Sequence, residues 1–306
     1  MNKQLTRRGR LRAVLAGVAV AALAMTTVAA CGSDDSGDKK ASTTAENAEA
    51  AKLLPAEIKK AGVVRVASTF GYPPEQFYEE DGKTPTGFSV ELGAALGKQL
   101  GVDFKFENVS FDAILPGIDA GRYDIAISSM SITPERSKQV NFVKYMDAGG
   151  SLLVKGDNPK HIEGFEDLCG KTAANTTGSL HGEYLENYSK ENCVANGKSP
   201  IKVVNFSDAA APNQAVATGR ADVCYRDFTA NAYMAQKSDG QFKIVGGIVK
   251  TSPYGIAVGK DDEQLAEAIN VALNAVIQDG SYLDILKKWD VDEAAITQSE
   301  VVKATS

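Results

Sequence analysis

An α/β fold in two lobes is predicted by three features of this sequence. Short β-branched runs alternate with amphipathic helical stretches between residues 63 and 128, the pattern of an open sheet flanked by helices. The alternation starts again after Gly149-Gly150. About 255 residues follow a polar N-terminal segment, enough for two sizeable hydrophobic cores or one large one.

Taken in order, Val63–Ser68 is a strand, Ser89–Leu100 an amphipathic helix, Phe104–Val109 a strand, Phe111–Ala120 a helix interrupted by Pro116, and Ile125–Ser128 a strand. In the second unit, Leu152–Val154, Thr172–Asn175, Ile201–Phe206 and Ala221–Tyr225 have strand character, and Leu180–Lys190 and Ala209–Thr218 are helical. Tyr254–Val258 is again a strand, followed by helices over Gln264–Asp279 and Tyr282–Lys288. Open sheets of this kind hold ligands beyond the carboxyl ends of their strands.

Tyr123–Phe142, YDIAISSMSITPERSKQVNF, concentrates the binding chemistry. A buried strand runs toward Thr133-Pro134, which has the composition of a helix Ncap and N1. The amides of a helix start favour an anion, Ser129 and Ser131 add hydroxyls, and Arg136 carries a planar donor fork that matches a carboxylate. Locally, ordinary turn chemistry with a surface arginine explains the same residues.

The N-terminus predicts the compartment. Lys3, Arg7, Arg8, Arg10 and Arg12 form a basic region, Leu11–Val28 is apolar, and Val28-Ala29-Ala30-Cys31 matches a lipobox. Residues 1–30 are therefore expected to be a lipoprotein signal peptide. Cys31 is the expected lipidation site, anchoring the protein to the extracytoplasmic face of the cell membrane. Gly32–Ala51 has almost nothing to bury, and residues 31–55 are assigned to the lipidated cysteine and a flexible tether. No later apolar run approaches the roughly 18 residues needed to span a bilayer. The five basic and no acidic side chains of residues 1–30 lower the whole-chain charge of −6 by five, to −11 for the remainder. That balance disfavours nucleic acid and anionic lipid as partners.

Three cysteines remain. Cys169 and Cys193, 24 residues apart, flank a predicted strand and helix and suit a disulfide closing the start of one lobe, consistent with an oxidising exterior. Cys224 lies in the apolar run Ala221–Tyr225 and is expected to be a buried strand residue. With His161 and His181 as the only histidines and no cysteine cluster, no metal site or cofactor is predicted.

The run Ser129-Met130-Ser131-Ile132-Thr133-Pro134-Glu135-Arg136 resembles the signature of the family 3 extracellular solute-binding proteins, the amino-acid receptors of ABC importers, and the likeness extends from about Val63 to Trp289. It implies the type II periplasmic-binding-protein fold, with two open, mostly parallel sheets flanked by helices and joined by two crossovers. Residues 56–148 and 253–306 would form one lobe and 149–252 the other. By the same resemblance, Ser129, Ser131 and Arg136 hold the ligand α-carboxylate, with Ser179 contributing from the second lobe. Asp227, in GRADVCYRDFTANAY, takes the ammonium, while Tyr72 and Phe111 clamp the aliphatic part. On its own residues Asp227 is equally a solvated loop acid or the Ncap of a helix. Thr69 stands where relatives for basic amino acids carry an acid, which disfavours lysine and arginine. Arg226 sits where relatives place side-chain contacts, so a polar or acidic ligand such as Glu, Gln, Asp or Asn is expected, unless Arg226 pairs with Glu75 or another cleft acid. A monomer serving an ABC permease is implied, and no catalytic residue. The alternatives are an enzyme on the same fold, such as a cyclohexadienyl dehydratase, or a ligand-sensing receptor.

Overall fold

The computed structural model describes residues 47–305 apart from 148, 251 and 252. The signal peptide, Cys31 and the tether up to residue 46 lie outside the described residues, as do three positions of the two crossovers.

In chain order the elements are α1 (Ala48–Leu53), α2 (Ala56–Ala61), β1 (Val63–Ser68), β2 (Phe77–Tyr78), β3 (Pro85–Thr86), α3 (Phe88–Leu100), β4 (Asp103–Asn108), α4 (Ile114–Asp119), β5 (Ile125–Ala126), β6 (Val140–Met146), β7 (Gly149–Lys155), β8 (Thr172–Thr176), α5 (Leu180–Tyr188), β9 (Lys202–Phe206), α6 (Ala211–Ala217), β10 (Val223–Asp227), α7 (Phe228–Lys237), β11 (Phe242–Lys250), β12 (Tyr254–Gly259), α8 (Glu263–Gln278), α9 (Ser281–Lys288) and β13 (Val301–Val302). They build a six-stranded sheet in the order β13-β6-β12-β5-β1-β4, a five-stranded sheet in the order β11-β7-β10-β8-β9, and the small hairpin β2-β3.

The two-lobed α/β architecture is present, but the sheets are mixed, not mostly parallel. In the first, β1 pairs in parallel with β4 and β5, whereas β12, β6 and β13 pair antiparallel. In the second, β8 runs parallel to β9 and β10, and β7 runs antiparallel to β10 and β11. The strands that enter a lobe from the other, β7 and β12, run against both of their neighbours.

Each sheet buries both faces. In the first lobe α3 presents Phe88, Leu92, Leu96 and Leu100 at four-residue spacing, and α8 presents Leu265, Ile269, Ala272 and Val276, all buried against Val64, Val66 and Ile256. The opposite face packs Ile114 and Ile118 of α4 on Ala67, Ala126 and Phe142. Gly93 is required where α3 crosses β4, because a Cβ there would lie 2.8 Å from the Phe106 ring. The second lobe repeats the plan, with Leu185 of α5 on Leu152, Val223 and Tyr225, and Ala215 and Val216 of α6 on Leu153 and Cys224. Cys224 is buried, and burial pushes its thiol up to about 12. A disulfide joins Cys169 and Cys193, with Cα atoms 5.5 Å apart.

Two local expectations are corrected. The tether assigned through residue 55 is ordered at its end: Asn47 caps α1 by accepting from the N–H of Glu49 and Ala50, and Ala50 and Leu54 are buried in the core formed with α8. The segment is alanine-rich and looks featureless by composition, but small residues let α1 seat closely on its neighbour. Thr133-Pro134 does not open an α-helix. A single 3₁₀ turn, Arg136–Lys138, follows, because the chain re-enters the sheet at Val140 and leaves no room for more.

Candidate functional site

The parallel strands aim their carboxyl ends at one place. Thr69 and Tyr72 follow β1, Phe111 follows β4, Ser129 and Ser131 follow β5, Ser179 follows β8, and Asp227 is the last residue of β10. All eight residues singled out from sequence, Tyr72, Phe111, Ser129, Ser131, Arg136, Ser179, Arg226 and Asp227, line one cavity between the lobes. The cavity has a volume of about 40 Å³ and opens to solvent.

The lobes touch across this cavity. Tyr72 Oη, from the first lobe, donates to Asp227 Oδ2 at 2.5 Å, and Tyr254 Oη donates to Asp227 Oδ1. Burial, reinforced by the Asp227 charge, raises both phenols well above their ordinary pKa, so they act as donors. Arg136 Nη1 donates to Ser131 O at 2.9 Å and Nη2 crosses to Gly178 O at 3.0 Å, with the guanidinium 5.4 Å from the centre of the Phe111 ring. Arg226 lies 3.9 Å above the Tyr72 ring. Each expected aromatic clamp is thus also a platform for an arginine.

Ser179 is the Ncap of α5, its Oγ accepting from Gly182 N at 3.2 Å. The helix start facing the cavity is therefore this one in the second lobe and not Thr133-Pro134. Ser129 sits at φ +48°, a conformation uncommon for a residue with a Cβ, and its N–H donates to Tyr145 Oη at 3.2 Å. The Arg226–Glu75 pair considered from sequence is absent: among the described residues neither Arg226 nor Arg136 has a carboxylate oxygen within 4.0 Å. Glu75 is fully buried and instead accepts from Thr229 Oγ1 across the lobes. Burial first, and the Asp227 charge second, lift its carboxyl to about 8, so it is uncharged at neutral pH.

The sequence pattern does not single out Gln76, Asn175 and His181 of the cavity wall, or Tyr254 behind it. His181 Nε2 lies 3.4 Å from Asp227 Oδ1, and burial lowers the pKa of its ring. Gln76 Nε2 donates to Thr69 O at 3.1 Å. The cavity wall carries buried polar atoms that make no hydrogen bond to the described residues: Thr69 Oγ1, Gln76 Oε1, Ser129 Oγ, Arg226 Nε and Nη2, and His181 Nε2, whose approach to Asp227 is not aligned as one. Buried polar groups in folded proteins are nearly always paired, so this concentration marks a place built for a polar guest.

Two lobes closing on a small polar cavity, with guanidinium and carboxylate groups on its wall, define a solute-binding protein. Residues 64–292 match the model of the bacterial extracellular solute-binding proteins, family 3, and the chain belongs to that family. It is similar to the arginine-binding protein ArgT of Corynebacterium glutamicum, at 26% identity over 81% of this chain and 80% of that one. The ABC transporter arginine-binding protein 1 of Escherichia coli is 32% identical over 71% of this chain and 86% of its own. Among solved structures, an ancestral arginine-binding protein bound to glutamine superimposes with a TM-score of 0.68 at 35% identity, covering 75% of this chain and 98% of that chain. The ancestral amino acid-binding protein AncCDT-1, a precursor of cyclohexadienyl dehydratase, gives 0.68 at 34% identity, covering 76% and 97%. Among the described residues no helix is long and apolar enough to cross a membrane.

Proposed function

We propose that this protein is a lipid-anchored extracytoplasmic receptor that closes around a free amino acid and delivers it to an ABC permease. Residues 56–148 and 253–306 form one lobe in this reading, 149–252 the other, and Cys31 carries the lipid. The observation that carries the proposal is the placement of Arg136 and Asp227, from opposite lobes, on the wall of one cavity. An amino-acid zwitterion loses water at both ends on entering, and each end then needs a fixed opposite charge. Arg136 receives the α-carboxylate together with Ser129, Ser131 and the start of α5. Asp227 receives the ammonium; two of its roughly four lone-pair sites are held by Tyr72 and Tyr254, which orients it and leaves acceptors free. The names of relatives in the family, which include binders of arginine and cystine, support amino acids as the ligand class.

The side chain then lies near Thr69, Gln76 and Arg226. Thr69 carries no charge to pair with a basic group and Arg226 repels one, so the ligand is polar or acidic. A dehydratase needs an acid beside the substrate. Glu75 is protonated but does not line the cavity, being tied to Thr229, which favours binding over turnover.

A thermal-shift screen of the protein against the twenty amino acids and prephenate tests the proposal, since a ligand of the native state raises apparent stability by mass action. A shift with one or a few amino acids is expected. Shifts only with prephenate, accompanied by its turnover, would replace the receptor by an enzyme.

A further inference from the structure

Arg226 is the least explained charge in the molecule. It is 2% exposed, its Nε and Nη2 have no acceptor among the described residues, and no carboxylate oxygen lies within 4.0 Å of it. Stacking on Tyr72 at 3.9 Å fixes the plane of the guanidinium, so the two orphan donors present a set direction. A buried charge held in place without a counter-charge is costly unless the functional state supplies one.

The charges on the cavity wall do not balance. The wall holds two guanidiniums, Arg136 and Arg226, against one carboxylate, Asp227. Of the acids off the wall, Glu75 is kept neutral by burial and has its hydrogen bond elsewhere, and Glu183 acts on Arg136 from outside the cavity. A plain zwitterion adds one charge of each sign and leaves the excess positive charge in place. An additional carboxylate on the ligand cancels it.

We infer that the ligand is a dicarboxylic amino acid whose side-chain carboxylate is bound by Nε and Nη2 of Arg226, and that this contact selects it over the corresponding amide. The inference rests on the reading of Arg136 and Asp227 as the α-group partners. A guanidinium offers donors only. A carboxylate meets both orphan donors side by side, in the bidentate geometry arginine favours. An amide of the same length turns one oxygen and one NH₂ toward them, so one donor faces another and the cation stays uncompensated. Basic side chains are repelled outright, which separates this chain from its arginine-binding relatives in specificity while sharing their fold.

Titration calorimetry on the full-length protein with glutamate, aspartate, glutamine, asparagine and arginine tests this. The better of the two acids should bind more tightly than its own amide by on the order of 10–100-fold, the range of a charge-assisted hydrogen-bond pair, and arginine should bind more weakly still. Arg226→Met should collapse the acid-to-amide ratio toward one, and Arg226→Lys, which keeps the charge but loses the fork, should retain part of it. The ratio in the unmutated protein decides the matter even where a variant fails to fold. An amide or arginine binding as tightly as the acid would overturn the inference while leaving the amino-acid receptor intact. No binding by any amino acid would overturn both.

Discussion

Removing the guanidinium of Arg136 should weaken amino-acid binding by roughly 2–5 kcal/mol, and the structure indicates where most of it arises. One part is the charge-assisted pairing with the ligand carboxylate, worth about 1.5–3 kcal/mol once water is excluded. The other is the cross-lobe bond from Nη2 to Gly178 O at 3.0 Å, a contact that favours the closed form and contributes about 0.5–1.5 kcal/mol. In Arg136→Ala both are lost, and the ligand carboxylate is left buried without its counter-charge. The fold should survive, since Arg136 lies in a short 3₁₀ turn and packs on the Phe111 ring without entering either core. Calorimetry against the best ligand should show Kd rising about 30-fold at least, and up to a few thousand-fold. Arg136→Lys should fall between, because it retains charge but not the fork that reaches Ser131 O and Gly178 O together. A loss below about 0.5 kcal/mol in a folded Arg136→Ala protein would refute the carboxylate assignment.

Other consequences are measurable without a ligand. The Glu75 carboxyl, lifted from 4.5 to about 8, keeps a proton in the folded state that the unfolded chain releases. Its contribution is complete below about pH 4.5 and is lost as pH rises through 8, with a slope near 1.4 kcal/mol per pH unit inside that window. Glu75→Gln should remove this slope, read as the change in urea midpoint between pH 5 and pH 8; an unchanged pH dependence would show that Glu75 ionises freely. Breaking the Cys169–Cys193 bridge with a double alanine variant should cost about 3 kcal/mol for a loop of 24 residues, seen in chemical denaturation of the second lobe. A midpoint equal to that of the unmodified protein would mean the bridge adds nothing. Leu54→Ala should destabilise the first lobe by about 2–5 kcal/mol, as expected for a 2% exposed side chain in a packed core. Calorimetric melting distinguishes this from a mobile tether, where the substitution would be silent.

The alternation of elements was legible in the sequence because β-branched runs and helical periodicity are local properties. The strand ends carrying the eight candidate residues follow from it. What escaped were contacts created by the return of the chain. Tyr254 reaches Asp227 only because β12 re-enters the first sheet beside β5 and β6. Strand β11 and helix α7 have mixed compositions that become intelligible only against their partners, β11 in register with β7 over Phe242–Val245. His181 is unremarkable in TTGSLHGEYL, since its relevance depends on α5 being capped at Ser179 and turning the second residue of the helix toward Asp227. The misplaced helix at Thr133-Pro134 has the opposite cause: a strong local capping signal overruled by the need to begin β6 at Val140.

The order of strands also bears on how the protein is made. The second sheet draws only on residues 149–250, a single uninterrupted stretch. The first sheet has β12 at its middle and β13 at its edge, the latter pairing Val301 and Val302 with Val143 and Phe142. During synthesis the later lobe therefore has every strand it needs while the earlier one still lacks its centre, and the edges of β5 and β6 that β12 will join must wait unpaired. The half of the molecule that is translated first is the half that finishes folding last, and a nascent chain arrested before Tyr254 would expose that waiting surface to whatever chaperone attends it.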